Sequence, residues 1–197
     1  MRKIAFFDFD GTITTKDTLF EVIKYQKGKA GFYTGFLLNS PVLVALKLKL
    51  ISNQAAKEKI LRYFFRGTEL KVFQQGCDQF IDHALPSMLR SGAMDEINRL
   101  KAAGFEIVVV SASPLNWIKK WTVAEGLGLI ATRLQEINGV ITGNIDGINN
   151  NMEEKASRIR AQFNLAEYEA IYCYGDSSGD KAMLALATKA FYKPFRN

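Results

Sequence analysis

A single histidine, His83, and two cysteines, Cys77 and Cys173, are all that 197 residues offer in imidazole and thiolate metal ligands. One imidazole excludes histidine-rich metal sites, and His83 has no evident partner, so it reads as a surface residue of a helical segment. The cysteines lie far apart with no CxxC pairing, which excludes a disulfide framework and fits reduced core thiols in a cytoplasmic protein. Zinc-finger spacing and aromatic-basic recognition motifs are also missing, so nucleic acid is not an expected partner despite a net charge of +6. Internal repeats and low-complexity linkers are lacking too. The basic opening, MRKIAFFDFD, does not carry the apolar run of a signal peptide, because Asp8 cuts it short.

What is present is a globular composition, 48% hydrophobic and 23% charged, enough for one core or for a core with a small appendage. The positive balance favours anionic contacts such as phosphate compounds or membrane surfaces. Ile4 to Phe9 reads as a buried strand. From Thr15 to about Pro86 apolar residues recur three and four apart, the helical period. AMDEINRLKAAG is a helix stopped by Gly104, and FEIVVVS, Phe105 to Ser111, is a second strand. Pro114 is expected to open the next helix with Ser113 as its cap. LIATRLQEI and VITGNI are joined by Asn138-Gly139, a two-residue hairpin signal. Asn151 with Glu154 three residues on resembles a capping box. EAIYCYG is a further buried strand, SGDKAMLALA a helix and KAFYK a last strand. Alternating strands and helices predict a doubly wound, Rossmann-like α/β core of residues 1–14 and 87–197, with a helical cap, 15–86, inserted after the first strand.

AGFYTGFLLNSPVLVALKLKLI, residues 30–51, is apolar enough to raise the question of a membrane span. Asn39, Ser40, Pro41, Lys47 and Lys49 interrupt it. A buried helix pair turning at Asn39-Ser40-Pro41 is the expected structure, and an interfacial helix with its lysines at the lipid surface is the alternative.

The chemistry concentrates at strand ends. Asp8 and Asp10 follow the first strand, Ser111 ends a second, Asp176 ends a third, and Asp180 comes four residues later. Lys155 lies on the helix after the hairpin. Open α/β sheets bind ligands outside the carboxyl ends of their strands, so these groups are expected to converge. Converging carboxylates need a cation among them, and a hard divalent ion, Mg²⁺, suits oxygen donors. Asp8 is then fitted to attack phosphorus and become an aspartyl-phosphate. If the segment stays extended, Asp10 faces the other way, toward the leaving group, as acid and then base. Ser111, Lys155 and the backbone N–H groups near Gly11-Thr12 and Ala112 are the expected phosphoryl binders.

Four stretches in this order, DFDGT (Asp8–Thr12), VVVS ending at Ser111, Lys155 in NNNMEEKASRI and GDSSGD (Gly175–Asp180), resemble the motifs of haloacid-dehalogenase-superfamily hydrolases. Within that superfamily the chain is most similar to the phosphoserine-phosphatase-like group. The resemblance implies Asp8 as nucleophile, Asp10 as acid/base, Mg²⁺ held by Asp8, the Asp10 carbonyl and Asp176, and Asp180 as a supporting carboxylate. An aspartate at position 10 is what its phosphatases and phosphomutases keep. The implied activity is a Mg²⁺-dependent phosphatase with a small phosphorylated substrate. Three positions depart from true phosphoserine phosphatases. Asp17 stands for a glutamate, Ala112-Ser113 for two glycines, and Gly179 for an asparagine. Asp17 reads as a substrate contact or as the cap of the first cap helix. The basic, partly apolar cap also resembles those of phosphatidylglycerophosphate-type lipid phosphatases, which implies peripheral membrane contact through residues 30–51. A non-catalytic anion-binding module is the remaining alternative.

Overall fold

β-Branched and aromatic side chains commit Arg2–Phe7 to a strand, β1. Ile4 and Phe6 enter one apolar cluster while Ala5 and Phe7 enter the other, the two-residue alternation of a strand buried on both faces. The computed structural model describes residues 2–196.

Four helices follow β1: α1 (Thr18–Leu38), α2 (Ser40–Lys47), α3 (Asn53–Phe65) and α4 (Leu70–His83). Then come α5 (Ser91–Ala102), β2 (Phe105–Pro114), α6 (Lys119–Ala124) and β3 (Gly128–Thr132). A hairpin, β4 (Leu134–Ile137) and β5 (Val140–Ile145), leads to α7 (Glu153–Gln162) and β6 (Tyr168–Gly175). The chain closes with α8 (Lys181–Leu184) and β7 (Lys189–Tyr192). The main sheet has the order β3-β2-β1-β6-β7, with every pair parallel. The chain winds outward from β1 through β2 to β3, then returns on the far side of β1. That reversal opens a crevice beside the carboxyl end of β1.

The expected turn at Asn39-Ser40-Pro41 forms, with the Asn39 side-chain amide donating to the Gly35 carbonyl at 2.8 Å and Pro41 in the first turn of α2. The helix pair is not buried as expected: within residues 30–51 Gly35 alone is buried. Among the described residues no helix is long and apolar enough to cross a membrane. The hairpin turn also forms, with Asn138 at φ 52° and Gly139 at φ 75°, the two left-handed residues such a loop demands. The hairpin hydrogen-bonds to the α3–α4 turn through Gly67 N–H to Ile141 O (3.0 Å) and Leu70 N–H to Gly139 O (2.8 Å). It thus ties the helical block to the chain that follows β3.

Local signals misled in four places. β1 ends at Phe7, not Phe9, because the chain turns at Asp8 to form a tight coil over Phe9–Ile13 with Gly11 at φ 82°. Ser113 is no helix cap: β2 runs through Pro114, and α6 begins only at Lys119 after a single 3₁₀ turn. The capping box at Asn151 is not made. Met152 enters α7 at φ 54°, and Glu154 accepts from Arg158 at 2.7 Å. The expected SGDKAMLALA helix shrinks to Lys181–Leu184. Cys77 and Cys173 are free and buried, as expected, and burial pushes both thiols up to about 12. His83 is exposed at the end of α4.

Candidate active site

Backbone hydrogen bonding hands Asp8 to the crevice. Its N–H is the last to bond β6, to Tyr174 O at 2.9 Å, and the chain then leaves the sheet. Asp8 is 5% exposed, so its carboxylate needs partners. Lys155, on α7, donates to Asp8 Oδ1 at 2.5 Å and to Asp180 Oδ1 at 2.7 Å. Thr12 Oγ1 donates to Asp8 Oδ2 at 3.2 Å. Burial pushes Asp8 up to about 7, against the pull of Lys155, with Asp180 and Asp10 adding to the rise. Burial also opposes the charge of Lys155, but the two carboxylates overcome it and hold its pKa above the usual lysine range. Asp180 is buried as well, yet Lys155 and Ser177 keep it below the usual carboxylate range.

Asp180 is saturated. Besides Lys155, its Oδ2 accepts from the N–H groups of Asp176 (3.1 Å) and Ser177 (2.9 Å) and from Ser177 Oγ (2.9 Å). These bonds fold the loop after β6 and aim Asp176 at the crevice. Asp8, Asp176 and Asp180 present oxygens within 4.8 Å of one another. This all-oxygen set fits a hard divalent ion such as Mg²⁺. With Asp180 fully engaged, Asp8 and Asp176 are the carboxylates left for it. Gly11 makes the space: a Cβ there would lie 2.4 Å from Asp176 Oδ2, and its φ of 82° favours glycine in any case. Burial raises Asp176 against the opposing charge of Arg196, whose guanidinium meets its Oδ2.

The extended geometry expected for Asp10 is not found. That expectation also misread strand geometry, since residues two apart in a strand share a face; what parts Asp10 from Asp8 is the coil after Phe7, which swings Asp10 to the start of α1. Its Oδ1 accepts from Thr18 N–H (2.7 Å) and Thr18 Oγ1 (2.6 Å). Its Oδ2 accepts from Ser113 Oγ (2.6 Å) and, at 3.4 Å, from Ser111 Oγ. Trp117 Nε1 in turn donates to Thr18 Oγ1 at 3.0 Å. The β2–β3 register shifts between Ser111 and Pro114. Asn150 takes up the carbonyls of Ser111 and Ile130, each at 3.0 Å, and so stabilises the break. That irregularity brings Ser113 to Asp10.

A cavity of about 560 Å³ is lined by Asp8, Asp10, Gly11, Ala112, Lys155 and Asp176 at its polar end. Ser111 and Thr12 are buried behind that lining, their hydroxyls turned to Asp10 and Asp8. Asp17 caps α1 by accepting from Leu19 N–H at 2.9 Å and also lines the cavity. Desolvation at the cavity mouth, then the charge of Asp10, push its carboxyl up to about 6, although the residue as a whole stays exposed. At Gly179 a Cβ would lie 2.3 Å from Asn151 Oδ1, so Asn151 fills the space a side chain would need.

Four lining or supporting residues escaped sequence reasoning: Thr18, Ser113, Lys57 and Arg196. Lys57, from α3, donates to Ala112 O (3.0 Å) and Asn149 Oδ1 (3.2 Å). Burial lowers its pKa, while Asp10 and Asp17 work to raise it. Nothing in the sequence around Lys57 sets it apart from the other lysines of the helical block.

The model of haloacid dehalogenase-like hydrolases matches residues 5–185. Protein CicA of Caulobacter vibrioides (strain NA1000 / CB15N) is 34% identical over 194 residues, spanning 96% of this chain and 85% of that protein. Among solved structures, a protein with unknown function from Bordetella pertussis Tohama I superposes with a TM-score of 0.85 at 23% identity, covering 96% of this chain and 89% of that one. A phospho-aspartyl intermediate analogue of phosphoserine phosphatase superposes with a TM-score of 0.70 at 18% identity, covering 96% and 85%. The two solved structures bear on the fold, a doubly wound parallel sheet with flanking helices.

Proposed function

Because the chain belongs to the haloacid dehalogenase-like hydrolases, we propose that it is a phosphatase that hydrolyses a phosphomonoester through an aspartyl-phosphate on Asp8. The observation that carries this reading is the pairing at the polar end of the cavity. One buried carboxylate, Asp8, is fixed by Lys155, and a second, Asp10, is fixed separately by Thr18 and Ser113. Such separation suits two carboxylates with different tasks.

An Asp8 oxygen attacks phosphorus and the ester P–O bond breaks. The departing alkoxide takes the proton of Asp10. Water then attacks the phospho-aspartate, its proton passing to Asp10, and the bond from phosphorus to Asp8 breaks to release inorganic phosphate. Lys155 and the N–H groups lining the cavity offset the phosphoryl charge. Asp8, the Asp10 carbonyl and Asp176 are the residues to hold Mg²⁺, which when bound offsets the charge of nucleophile and phosphoryl group. Residues 15–86 act as the cap over this site. Phosphoserine is disfavoured, since Asp17 is engaged as a helix cap and Ser113 as a ligand of Asp10.

Asp10→Asn tests the assignment. With p-nitrophenyl phosphate the leaving group needs little protonation, so the first step persists. Hydrolysis of the intermediate loses its base, slowing by about 10²–10⁴-fold. Trapped protein is expected to gain the mass of one phosphoryl group. A steady-state rate equal to wild type refutes the role of Asp10.

Mg²⁺ binding should follow the Asp8 proton. Its folded-state pKa is raised from 3.8 to about 7. Its contribution to the stability of the metal-free protein is therefore full below about pH 4 and lost as pH rises through 7. A cation binds the deprotonated form, so the rise in Tm on adding Mg²⁺ is expected to be larger at pH 8 than at pH 6. Thermal scans at both pH values check this, and equal rises contradict it.

A further inference from the structure

Between Ile23 and Ala56 one residue alone, Gly35, is buried. α1 departs from helical geometry at Gly28, φ 70°, and the chain beyond it forms with α2 a mostly exposed helical tip. Exposed apolar side chains are normal when scattered singly. Here they crowd: Tyr33, Leu37, Leu38, Val44, Leu48 and Leu50 are all exposed, Leu37 at 73% and Leu50 at 72%. A patch of this kind marks a contact surface. The charge around it has one sign. No aspartate or glutamate occurs between Glu21 and Glu58, whereas Lys29, Lys47 and Lys49 stand exposed.

The patch also runs into the candidate active site. Leu43, itself 37% exposed, joins Leu46, Phe36, Phe20 and Ile60 along one side of the cavity that contains Asp8 and Asp10. A phosphate ester bound at Asp8 has an apolar path from there to the tip.

We propose that the α1–α2 tip seats on an anionic lipid bilayer, and that the substrate is a phosphomonoester whose apolar tail lies along this path. The proposal rests on the phosphatase reading for its substrate half alone. An apolar surface rimmed by lysines matches the boundary between acyl chains and anionic headgroups, with leucines below and ammonium groups at headgroup level. A second copy of the chain is a poorer occupant, because a two-fold contact through this patch sets lysines against lysines.

Cosedimentation with vesicles decides the docking half. The wild-type protein is expected to pellet with phosphatidylglycerol vesicles at low salt, to release as salt rises, and to remain in the supernatant with pure phosphatidylcholine. Lys47→Ala with Lys49→Ala should weaken partitioning about thirtyfold, at roughly 1 kcal/mol per lysine. Leu37→Asp with Leu48→Asp should abolish it. Neither pair lines the cavity, so both variants should hydrolyse p-nitrophenyl phosphate in solution at the wild-type rate. Wild-type protein that stays in the supernatant with phosphatidylglycerol at low salt overturns docking, as does concentration-dependent dimerisation that Leu37→Asp removes. For the substrate half, kcat/KM should rise from a short-chain to a long-chain alkyl phosphate, and equal values overturn it. Failure to hydrolyse any phosphate ester removes the phosphatase reading while pelleting still reports on the surface.

Discussion

Asp8→Asn is expected to lower kcat on p-nitrophenyl phosphate by at least about four orders of magnitude, the scale seen when a covalent nucleophile is removed. The fold should survive. An asparagine oxygen at the Oδ1 position still accepts from Lys155, and a nitrogen at the Oδ2 position donates to Thr12 Oγ1, since a hydroxyl serves either way. Stability of the metal-free protein should even rise above pH 7. There the wild-type site confines two carboxylates with one ammonium, all nearly inaccessible to water, and the substitution leaves a neutral Lys155–Asp180 pair. The rise in Tm on adding Mg²⁺ should shrink at the same time, because one carboxylate ligand is gone. Turnover within about tenfold of wild type, a difference of roughly 1.4 kcal/mol in barrier, eliminates Asp8 as the nucleophile. Unchanged turnover together with an unchanged Mg²⁺ response would remove the metal assignment as well.

Asp8 and Asp176 were legible in the sequence because each follows an apolar strand, whereas Lys155, on α7, stood out only through the resemblance of the four motifs in their order. An apolar strand that ends in a carboxylate delivers it to the sheet edge, and the order of elements settles which edge. The parallel sheet and the helical block between β1 and β2 were legible for the same reason, as hydrophobic period reports burial directly. Ser113 was not. A serine before a proline has a strong local reading as a helix cap, and what overrides it is a carboxylate about a hundred positions earlier in the chain. Thr18 is ambiguous in the same way, since nothing near it in sequence announces Asp10. Lys57 and Arg196 reach the cavity from a helix and from the chain's last turn, and neither carries a motif. Near Asn151 the start of a helix was read correctly and its cap was not, because Met152 enters α7 at a positive φ and Asn151 packs against Gly179. Carboxylates at strand ends announce themselves in the sequence, whereas the residues that orient them are chosen by the tertiary fold.

Lys155→Met should be the most destabilising single change at the site. Lys155 is 2% exposed and is the one ammonium bonded to both Asp8 and Asp180, at 2.5 and 2.7 Å. Methionine keeps much of the volume and removes the charge, leaving two buried carboxylates facing each other. Breaking a buried pair in this way costs about 3–5 kcal/mol, which for a chain of this size lowers Tm by roughly 10 °C. Part of that loss should reverse below pH 6, where either carboxylate can take up a proton, and part on adding Mg²⁺, which restores a positive charge beside Asp8. Activity should not return with stability. The cation opposite the phosphoryl group is missing even when the site is folded, and a lost electrostatic stabiliser of this kind costs about 10²–10³ in kcat. Lys155→Arg should fare little better, because a planar guanidinium does not fit the space that a single ammonium occupies between two oxygens. Thermal scans with and without Mg²⁺ at pH 5.5 and 8, set beside aryl-phosphate kinetics, separate the two effects. A Tm within about 2 °C of wild type at pH 8, less than 1 kcal/mol for a chain of this length, means that Lys155 does not hold the two carboxylates together, and the charge balance assigned to the site is then wrong.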